Sequence, residues 1–250
     1  MSKKLTYILS ISGFDPCGGS GVLADVKTFE QHGGTGMAVQ TANTVQTESE
    51  LKSVSWIDED TVLAQLDFLL MTYKFKYVKI GLIPSIEFLK MAIEKCKLAN
   101  PKVKVIWDPV LTAGSDFVIG QDLSELNEVL KDLFLITANE NVVRTMTGSE
   151  NEKEGAMLIS EYVKVYLKGD INSNHLGKDF LYVNSQCQTF NQKDRNMMYH
   201  EKHGRGCILS SAIAANLANG YPLQKSCLKS KRYIEGVLAS SKTLLGRHRL

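Results

Sequence analysis

Short stretches rich in β-branched and aromatic residues alternate along the chain with longer segments whose apolar positions recur at helical spacing. The short stretches predict strands at residues 6–12, 36–45, 77–83, 103–110, 134–138 and 163–168. The longer segments predict helices at residues 21–32, 58–73, 85–98, 123–133 and 155–162. Repeated strand–helix units of this length are typical of an α/β fold with a mainly parallel central sheet and helices on both faces. Ligands of such a sheet bind at the carboxyl ends of its strands.

The pattern changes in the last third of the chain. Two short apolar runs, at residues 180–183 and 187–190, predict a small hairpin at the sheet edge. Two helices, at residues 208–219 and 223–245, are predicted to follow, separated by a glycine that suits a helix end and a proline that suits a helix start. Because no linker or repeat interrupts the pattern, we expect one domain over residues 1–250.

Composition narrows the classes of partner. Of the 250 residues 44% are hydrophobic, and the formal net charge is +2, without the basic excess that nucleic-acid binding requires. The five cysteines are scattered and lack the spacing of zinc ligands, as expected of reduced thiols. The first apolar run is too brief for a signal peptide or a membrane span. We therefore expect a cytoplasmic protein that binds neither nucleic acid nor membranes, and the edge hairpin leaves homodimerisation open.

A glycine-rich turn before the helix at residue 208 is a candidate anion site. The amides of Gly204 and Gly206 converge there, and a helix N-terminus adds positive potential, which suits a transferring phosphoryl group. A thiol in the first turn of a helix is expected to have a lowered pKa, so Cys207 is a candidate polar or basic group beside a substrate alcohol. The alternative is a simple helix entry in which Cys207 is a small buried residue.

Polar residues also follow several predicted strands. Asp15 lies in the glycine-rich turn at residues 12–21, where it either accepts a hydrogen bond from a substrate hydroxyl or forms an Asx turn. Asp108, Asn139 and Lys168 follow three other strands, and together they could hold a metal, a water and a polyphosphate around one cleft. Each also has a structural interpretation: Asp108 as a turn cap, Asn139 as a helix N-cap and Lys168 as a solvated lysine.

These segments, in this order, resemble the hydroxymethylpyrimidine and phosphomethylpyrimidine kinases of the ribokinase-like superfamily over nearly the whole chain. Residues 13–29, GFDPCGGSGVLADVKTF, are similar to the opening segment G-x-D-P-S-G-G-A-G-I-Q-A-D-L-K-T-F of that family. Residues 203–215, HGRGCILSSAIAA, are similar to its helix entry H-G-T-G-C-T-L-S-A-A-I-A-A. The segments TVQ at residues 44–46, VKIG at 78–81 and WDPV at 107–110 match further strand ends.

The resemblance implies a pyrimidine pocket, ATP and Mg²⁺. It places six residues around the pyrimidine, with the glutamine on its edge: Gly13, Asp15, Gln46, Leu82, Val110 and Cys207. It assigns the turn Gly204 to Cys207 to the transferred phosphoryl group. It assigns Asn139, Lys168 and Lys231 to the nucleotide. Arg205, inside the turn, would act as an extra phosphate clamp, and Asp108 is the strand-end candidate for the metal.

Three departures from the family pattern fall at positions that handle phosphate. Val142 stands where the N-x-x-E motif has its acidic residue, and neighbouring Glu140 is not expected to point the same way. Arg205 replaces a threonine inside the anion site, and Asp170 replaces the second glycine of K-G-G. The resemblance therefore implies a pyrimidine kinase. It also leaves two alternatives: a pyrimidine-binding or regulatory relative with impaired transfer, and a kinase of vitamin B6 alcohols.

Overall fold

The computed structural model describes residues 5–110, 126–169, 177–194 and 196–249. Within these ranges the strands are β1 Tyr7–Phe14, β2 Thr35–Gln46, β3 Leu51–Trp56, β4 Tyr77–Ile80, β5 Lys104–Trp107, β6 Leu135–Ala138, β7 Lys164–Leu167, β8 Asp179–Val183 and β9 Gln186–Phe190. The helices are α1 Gly21–Gln31, α2 Glu59–Thr72, α3 Ile86–Ala99, α4 Leu126–Asp132, α5 Glu140–Thr147, α6 Glu152–Ser160, α7 Arg205–Ala218 and α8 Leu223–Ala239.

All these strands form one sheet in the order β3-β2-β1-β4-β5-β6-β7-β8-β9. Six neighbouring strands are mutually parallel: β2, β1, β4, β5, β6 and β7. Antiparallel partners close both edges, with β3 beside β2, and with β8 and β9 beyond β7. The predicted mainly parallel sheet and its edge hairpin are thus confirmed, and six parallel strands end on one edge of the sheet.

Helices cover both faces of the sheet. Successive residues of a strand point to opposite faces, so each central strand contributes side chains to two cores. On β5, Val105 and Trp107 pack into one core with residues of α2 to α6. Ile106, between them, packs into a second core with residues of α1, α7 and α8. The predicted two-faced α/β architecture is confirmed. Within the described ranges, no helix is long and apolar enough to cross a membrane.

Two elements were not predicted from the sequence. Strand β3 has a weak apolar signal, because three of its four exposed positions at the sheet edge, Lys52, Ser53 and Ser55, are polar. Helix α5 is only eight residues long, from Glu140 to Thr147, and its buried residues, Val142 and Val143, are adjacent in sequence. Such a short segment gives little helical periodicity. Its start is nevertheless marked by Asn139, whose side chain accepts a hydrogen bond from the backbone N–H of Val142 at 2.9 Å.

Several predicted boundaries are too long. Strands β4 and β5 end at Ile80 and Trp107, where the chain turns toward the ligand-binding edge. Helix α8 ends at Ala239 rather than at residue 245. The segment beyond it folds back, since the Lys202 ammonium donates to the carbonyls of Ser241 and Thr243 at 2.7 Å. The first three residues of the helix predicted at 123–133 lie outside the described residues.

Candidate active site

The loop between β1 and α1 is organised around the carboxylate of Asp15. This side chain is 1% exposed. It accepts hydrogen bonds from the backbone N–H of Cys17 at 2.9 Å and from the backbone N–H and hydroxyl of Ser20 at 2.7 and 3.0 Å. Nε2 of His203 lies 2.9 Å away. Burial acts to raise the pKa of Asp15, but hydrogen bonds with His203, Cys17 and Ser20 outweigh it and hold the pKa well below its usual value. Asp15 is therefore an ionised anchor for this loop.

The turn before α7 packs directly on that loop. Gly204 is the N-cap of α7 with φ of +73°, and a Cβ there would lie 1.8 Å from the carbonyl oxygen of Gly19. Only glycine fits such a position. A Cβ on Gly206 would lie 3.1 Å from the Lys168 ammonium and 3.8 Å from the Asp108 carboxylate. The predicted glycine-rich helix entry is present, and its second glycine lies over a pair of charged side chains.

That pair is Asp108 and Lys168, whose charged atoms are 2.7 Å apart. The Asp108 carboxylate also accepts hydrogen bonds from Thr137 at 2.7 Å and from Ser210 of α7 at 3.1 Å. Burial acts to raise the pKa of Asp108, but Lys168, then Lys79 and the hydrogen bonds, lower it overall. The structure thus joins two of the predicted strand-end residues, at the ends of β5 and β7, in one buried ion pair.

A cavity of about 350 Å³ opens on one side of this turn. All six residues that the resemblance assigned to the pyrimidine line it: Gly13, Asp15, Gln46, Leu82, Val110 and Cys207. Leu82 is fixed at both ends of its backbone, since its N–H donates to Ser12 and its carbonyl accepts from Thr41. Sequence reasoning missed the rest of the wall. That wall includes His203 and the turn at residues 47–50 between β2 and β3. The turn was missed because strand β3 was not predicted.

A second cavity, of about 220 Å³, lies on the other side of the turn. Three of the four residues predicted to bind nucleotide line it: Lys168, Arg205 and Lys231. Lys231, however, lies 3.1 Å from Asp179 and 3.8 Å from Glu235, so its charge is already balanced by protein groups. The structure does not bring the fourth, Asn139, into this wall. It caps α5 and is exposed.

The predicted lowering of the Cys207 pKa is wrong. Part of Cys207 faces the first cavity, but burial raises the pKa of the thiol to about 11, against the smaller opposing effect of Lys79. The N-terminal turn of α7 does not overcome this loss of hydration. The thiol is therefore neutral at pH 7, and a role for Cys207 as a base is not supported.

The departures from the family pattern have distinct surroundings. Val142 is 6% exposed and packs in the core beneath α5 and α6. Glu140 forms an ion pair with Arg144 at 2.8 Å, so it does not take the place of the missing acid. The Arg205 side chain belongs to the wall of the second cavity. Asp170 lies outside the described residues.

A fully buried ion pair beneath the site was also missed. The Lys79 ammonium lies 3.0 and 2.8 Å from the two carboxylate oxygens of Asp25, which also accept hydrogen bonds from Ser10 and Ser211. Burial acts to lower the pKa of Lys79, but Asp25, Cys207 and Asp108 raise it overall. This cation is thus permanently charged beneath the cavity floor. A lysine in the otherwise apolar segment at residues 77–80 was the available signal.

A two-faced parallel sheet with two cavities flanking a glycine-rich helix entry defines the class of ribokinase-like small-molecule kinases. Residues 15–249 match the phosphomethylpyrimidine kinase family model, and the chain belongs to that family. A hydroxymethylpyrimidine/phosphomethylpyrimidine kinase of Staphylococcus aureus strain Mu50 is 30% identical over 92% of this chain and 87% of its own. A kinase of the same name from Saccharomyces cerevisiae is 30% identical over 95% of this chain. The chain spans only 46% of that yeast protein, so it is about half as long.

The fold is also similar to that of a vitamin B6 kinase. An ADP complex of Bacillus subtilis pyridoxal kinase superposes with a TM-score of 0.82 over 98% of both chains, at 25% sequence identity. The fold alone therefore does not separate the two kinds of kinase.

Proposed function

We propose that the chain transfers the γ-phosphoryl group of ATP to the hydroxymethyl group of 4-amino-5-hydroxymethyl-2-methylpyrimidine, to its monophosphate, or to both, in thiamine biosynthesis. One observation carries the proposal: the glycine-rich entry of α7 lies between the first cavity, which contains all six residues assigned to the pyrimidine, and a second cavity whose wall includes Lys168 and Arg205. A phosphoryl donor and an alcohol acceptor bound in the two cavities would meet at the amides of this turn. Names of relatives support the same assignment.

Catalysis in this proposal is positional and electrostatic. The first cavity holds the pyrimidine, with Gln46 facing its edge and the neutral Cys207 thiol beside the hydroxymethyl group. Backbone N–H groups of the turn, including that of Gly206, stabilise negative charge on the transferred phosphoryl group. Lys168 and Arg205 neutralise nucleotide phosphates from the second cavity. The acceptor alcohol gives up its proton without Cys207 as the base.

ATP is the proposed phosphoryl donor, and Mg²⁺ is the metal ion proposed to bind with it. Two cations of the second cavity wall lie at the turn, Arg205 within it and Lys168 beside Gly206, which suits a polyphosphate. Asp108 supplies hard carboxylate oxygens of the kind that Mg²⁺ prefers, and one of its oxygens accepts a 3.1 Å hydrogen bond from Ser210. Asp108 is therefore the residue expected to hold the metal, whose charge would offset that of the phosphates.

The buried Val142 favours one rival function. A carboxylate that organises Mg²⁺ is absent from that position, so a pyrimidine-binding or regulatory protein with little transfer activity would have the same first cavity. Loss of one such group usually weakens electrostatic catalysis rather than abolishing it. The other alternative, a vitamin B6 alcohol as acceptor, is favoured by the pyridoxal kinase likeness and opposed by the position of Gln46.

A coupled ADP-release assay with hydroxymethylpyrimidine and with pyridoxine separates these functions. We expect turnover of the pyrimidine and little of pyridoxine. Val142→Glu is expected to raise turnover, and Val142→Gln, of equal size but without charge, is the matched control. No turnover by the wild-type chain, together with thermal stabilisation by the pyrimidine, would establish the binding-protein alternative instead. Turnover of pyridoxine alone would replace the pyrimidine assignment.

The remaining parts of the proposal concern domain organisation, location and binding partners. We propose that residues 1–250 act as one domain in the cytoplasm, on a small-molecule partner rather than on nucleic acid or membranes. The net charge of +2 supports this. Strand β9 lies at the sheet edge with most of its residues exposed, which supports homodimerisation through that edge.

A further inference from the structure

Three side chains of different chemistry converge where the β1–α1 loop meets the turn before α7. The Asp15 carboxylate oxygen Oδ2 lies 3.3 Å from the Cys17 sulfur and 2.9 Å from Nε2 of His203. One atom from each of the three side chains lies within 4.8 Å of the others. The cluster brings together residues 188 positions apart, so no local sequence spacing marks it.

A thiolate, an imidazole and a carboxylate are the three side-chain ligand types that zinc binds. Tetrahedral Zn²⁺ with bonds of about 2.0 to 2.3 Å separates such ligand atoms by roughly 3.3 to 3.6 Å. The two measured separations lie within a few tenths of an ångström of this range. A set containing sulfur does not suit Mg²⁺, which prefers oxygen ligands. The ligand set of this cluster thus differs from Asp108, the carboxylate proposed above to hold Mg²⁺.

The backbone around the cluster is held firmly. The Gly18 N–H donates to the Asp15 carbonyl in a tight turn, and the His203 N–H donates to the carbonyl of Leu244. A Cβ on Gly19 would lie 2.6 Å from the His203 ring. The Gly19 backbone and the His203 ring are therefore in close contact, which holds the ring beside Asp15.

Binding of a divalent ion also balances the charges and protons of the cluster. The Cys17 thiol would release its proton to solvent, and a neutral His203 imidazole would carry its proton on Nδ1, leaving Nε2 to bind the metal. Two anionic ligands and one neutral ligand would neutralise Zn²⁺. Ser20, which already donates to Asp15 from its N–H and hydroxyl, would keep the carboxylate oriented.

We propose that Asp15, Cys17 and His203 form a binding site for Zn²⁺, with water as the fourth ligand on the side of the first cavity. Asp15 and His203 both line that cavity, so the open position faces it. The family pattern has serine at position 17, and the thiol of this chain is what supplies the soft ligand. Metal binding can be measured without phosphoryl transfer, so the site is tested separately from the proposed function.

Co²⁺ is the spectroscopic probe for this site, because thiolate coordination gives an intense near-ultraviolet charge-transfer band. The full chain, freed of metal by a chelator, is titrated with Co²⁺ and then with Zn²⁺. We expect a thiolate–Co²⁺ band that saturates at one equivalent and is abolished by Zn²⁺. A titration of the wild-type chain without such a band would overturn the proposal, whatever the variants do.

Two cysteine variants assign the band. Cys17→Ser is expected to remove it and to lower Zn²⁺ affinity by about 100-fold or more, since even the outer partners of metal ligands contribute about 10- to 100-fold. Cys187→Ser, at the exposed cysteine of β9, is the matched control and should bind like wild type. Zn²⁺ should raise the melting temperature of wild type and Cys187→Ser but not of Cys17→Ser. Retention of the band in Cys17→Ser would contradict the assignment.

Discussion

Replacing Lys168 by methionine tests how the centre of the site is held together. Lys168 and Asp108 have side chains that are 9% and 4% exposed, with their charged atoms 2.7 Å apart. Methionine keeps most of the apolar stem of lysine and removes only the ammonium. The Asp108 carboxylate would then remain buried with its hydrogen bonds from Thr137 and Ser210 but without its nearest opposite charge.

The expected loss follows from the cost of leaving one charge of a buried pair uncompensated. Breaking such pairs from one side destabilises proteins by about 3–5 kcal/mol. Because two hydrogen bonds and the more distant Lys79 still favour the Asp108 carboxylate, we expect a value near the lower limit, about 3 kcal/mol. Asp108→Asn should cost a similar amount, since it leaves the lysine without its partner. The double variant should lose far less than the sum.

Urea unfolding of the wild-type chain, both single variants and the double variant measures these free energies. We expect a coupling energy of about 2–3 kcal/mol between positions 108 and 168. The pH dependence supplies a second check. Lys168 lowers the pKa of Asp108 in the folded chain, so the pair stabilises above the unfolded value of about 3.9 and loses this effect as the pH falls further. The deficit of Lys168→Met should therefore shrink as the pH falls and Asp108 is protonated in the variant, where its pKa is no longer lowered by Lys168.

A cost below about 1 kcal/mol for Lys168→Met, with no coupling to position 108, would refute this reasoning. It would show that the two charges are hydrated in solution, as in an exposed ion pair. Lys168 would then be free to follow the nucleotide, and Asp108 would be free to bind metal without exchanging a partner. The outcome therefore bears directly on how the second cavity is prepared for phosphate.

Three further predictions concern the turn, the thiol and the C-terminal segment. Gly204→Ala should destabilise the chain by more than about 2 kcal/mol, because it adds a collision with Gly19 to the left-handed strain. Gly220→Ala, with φ of +87° and no neighbour within 4 Å, should cost only the strain of about 1 kcal/mol. Raising the pKa of Cys207 from 9.0 to about 11 lowers its thiolate fraction about 100-fold at pH 7.5, so iodoacetamide should alkylate it at least that much more slowly than free cysteine. Burial lowers the pKa of His248 from 6.5 to about 4, so stability should fall by about 1 kcal/mol as the pH drops from 6.5 to 5, and His248→Gln should flatten this dependence.

Each of these predictions has a definite contrary result. Equal free energies of unfolding for Gly204→Ala and Gly220→Ala would show that the turn does not press on the β1–α1 loop. Rapid alkylation of Cys207, located by peptide mass spectrometry, would restore it as a candidate base. Melting curves of His248→Gln that keep the full acid dependence would place that dependence elsewhere.

The residues around the first cavity were assigned from the resemblance to the family, and the fold explains why they meet. Parallel strands end on one edge, so Gly13, Gln46, Leu82 and Val110 meet there once the strands are correctly assigned. The assignments were strong because buried parallel strands are continuous apolar runs. Strand β3 and the turn before it were missed for the opposite reason, since an exposed edge strand alternates weakly and carries polar residues.

Properties that depend on packing between distant segments could not be predicted in this way. The contact of Asp15 with His203 and the pairing of Lys231 with Asp179 join residues that no periodicity relates. The Cys207 pKa shows the same limit in chemical terms. Its place at a helix start argues for a lower pKa, but the extent of burial depends on the whole fold, and burial has the larger effect.

The departures from the family pattern therefore fall unevenly across the site. The six residues of the first cavity are in place, and the buried pair of Lys79 and Asp25 supports its floor. Arg205 belongs to the wall of the second cavity, whereas the uncharged Val142 is buried in the core at the start of α5. A change in function along this line would leave pyrimidine binding intact and alter the rate of transfer. The Val142→Glu comparison bears directly on that change, because it introduces a carboxylate at the start of α5 and alters no residue of the substrate cavity wall.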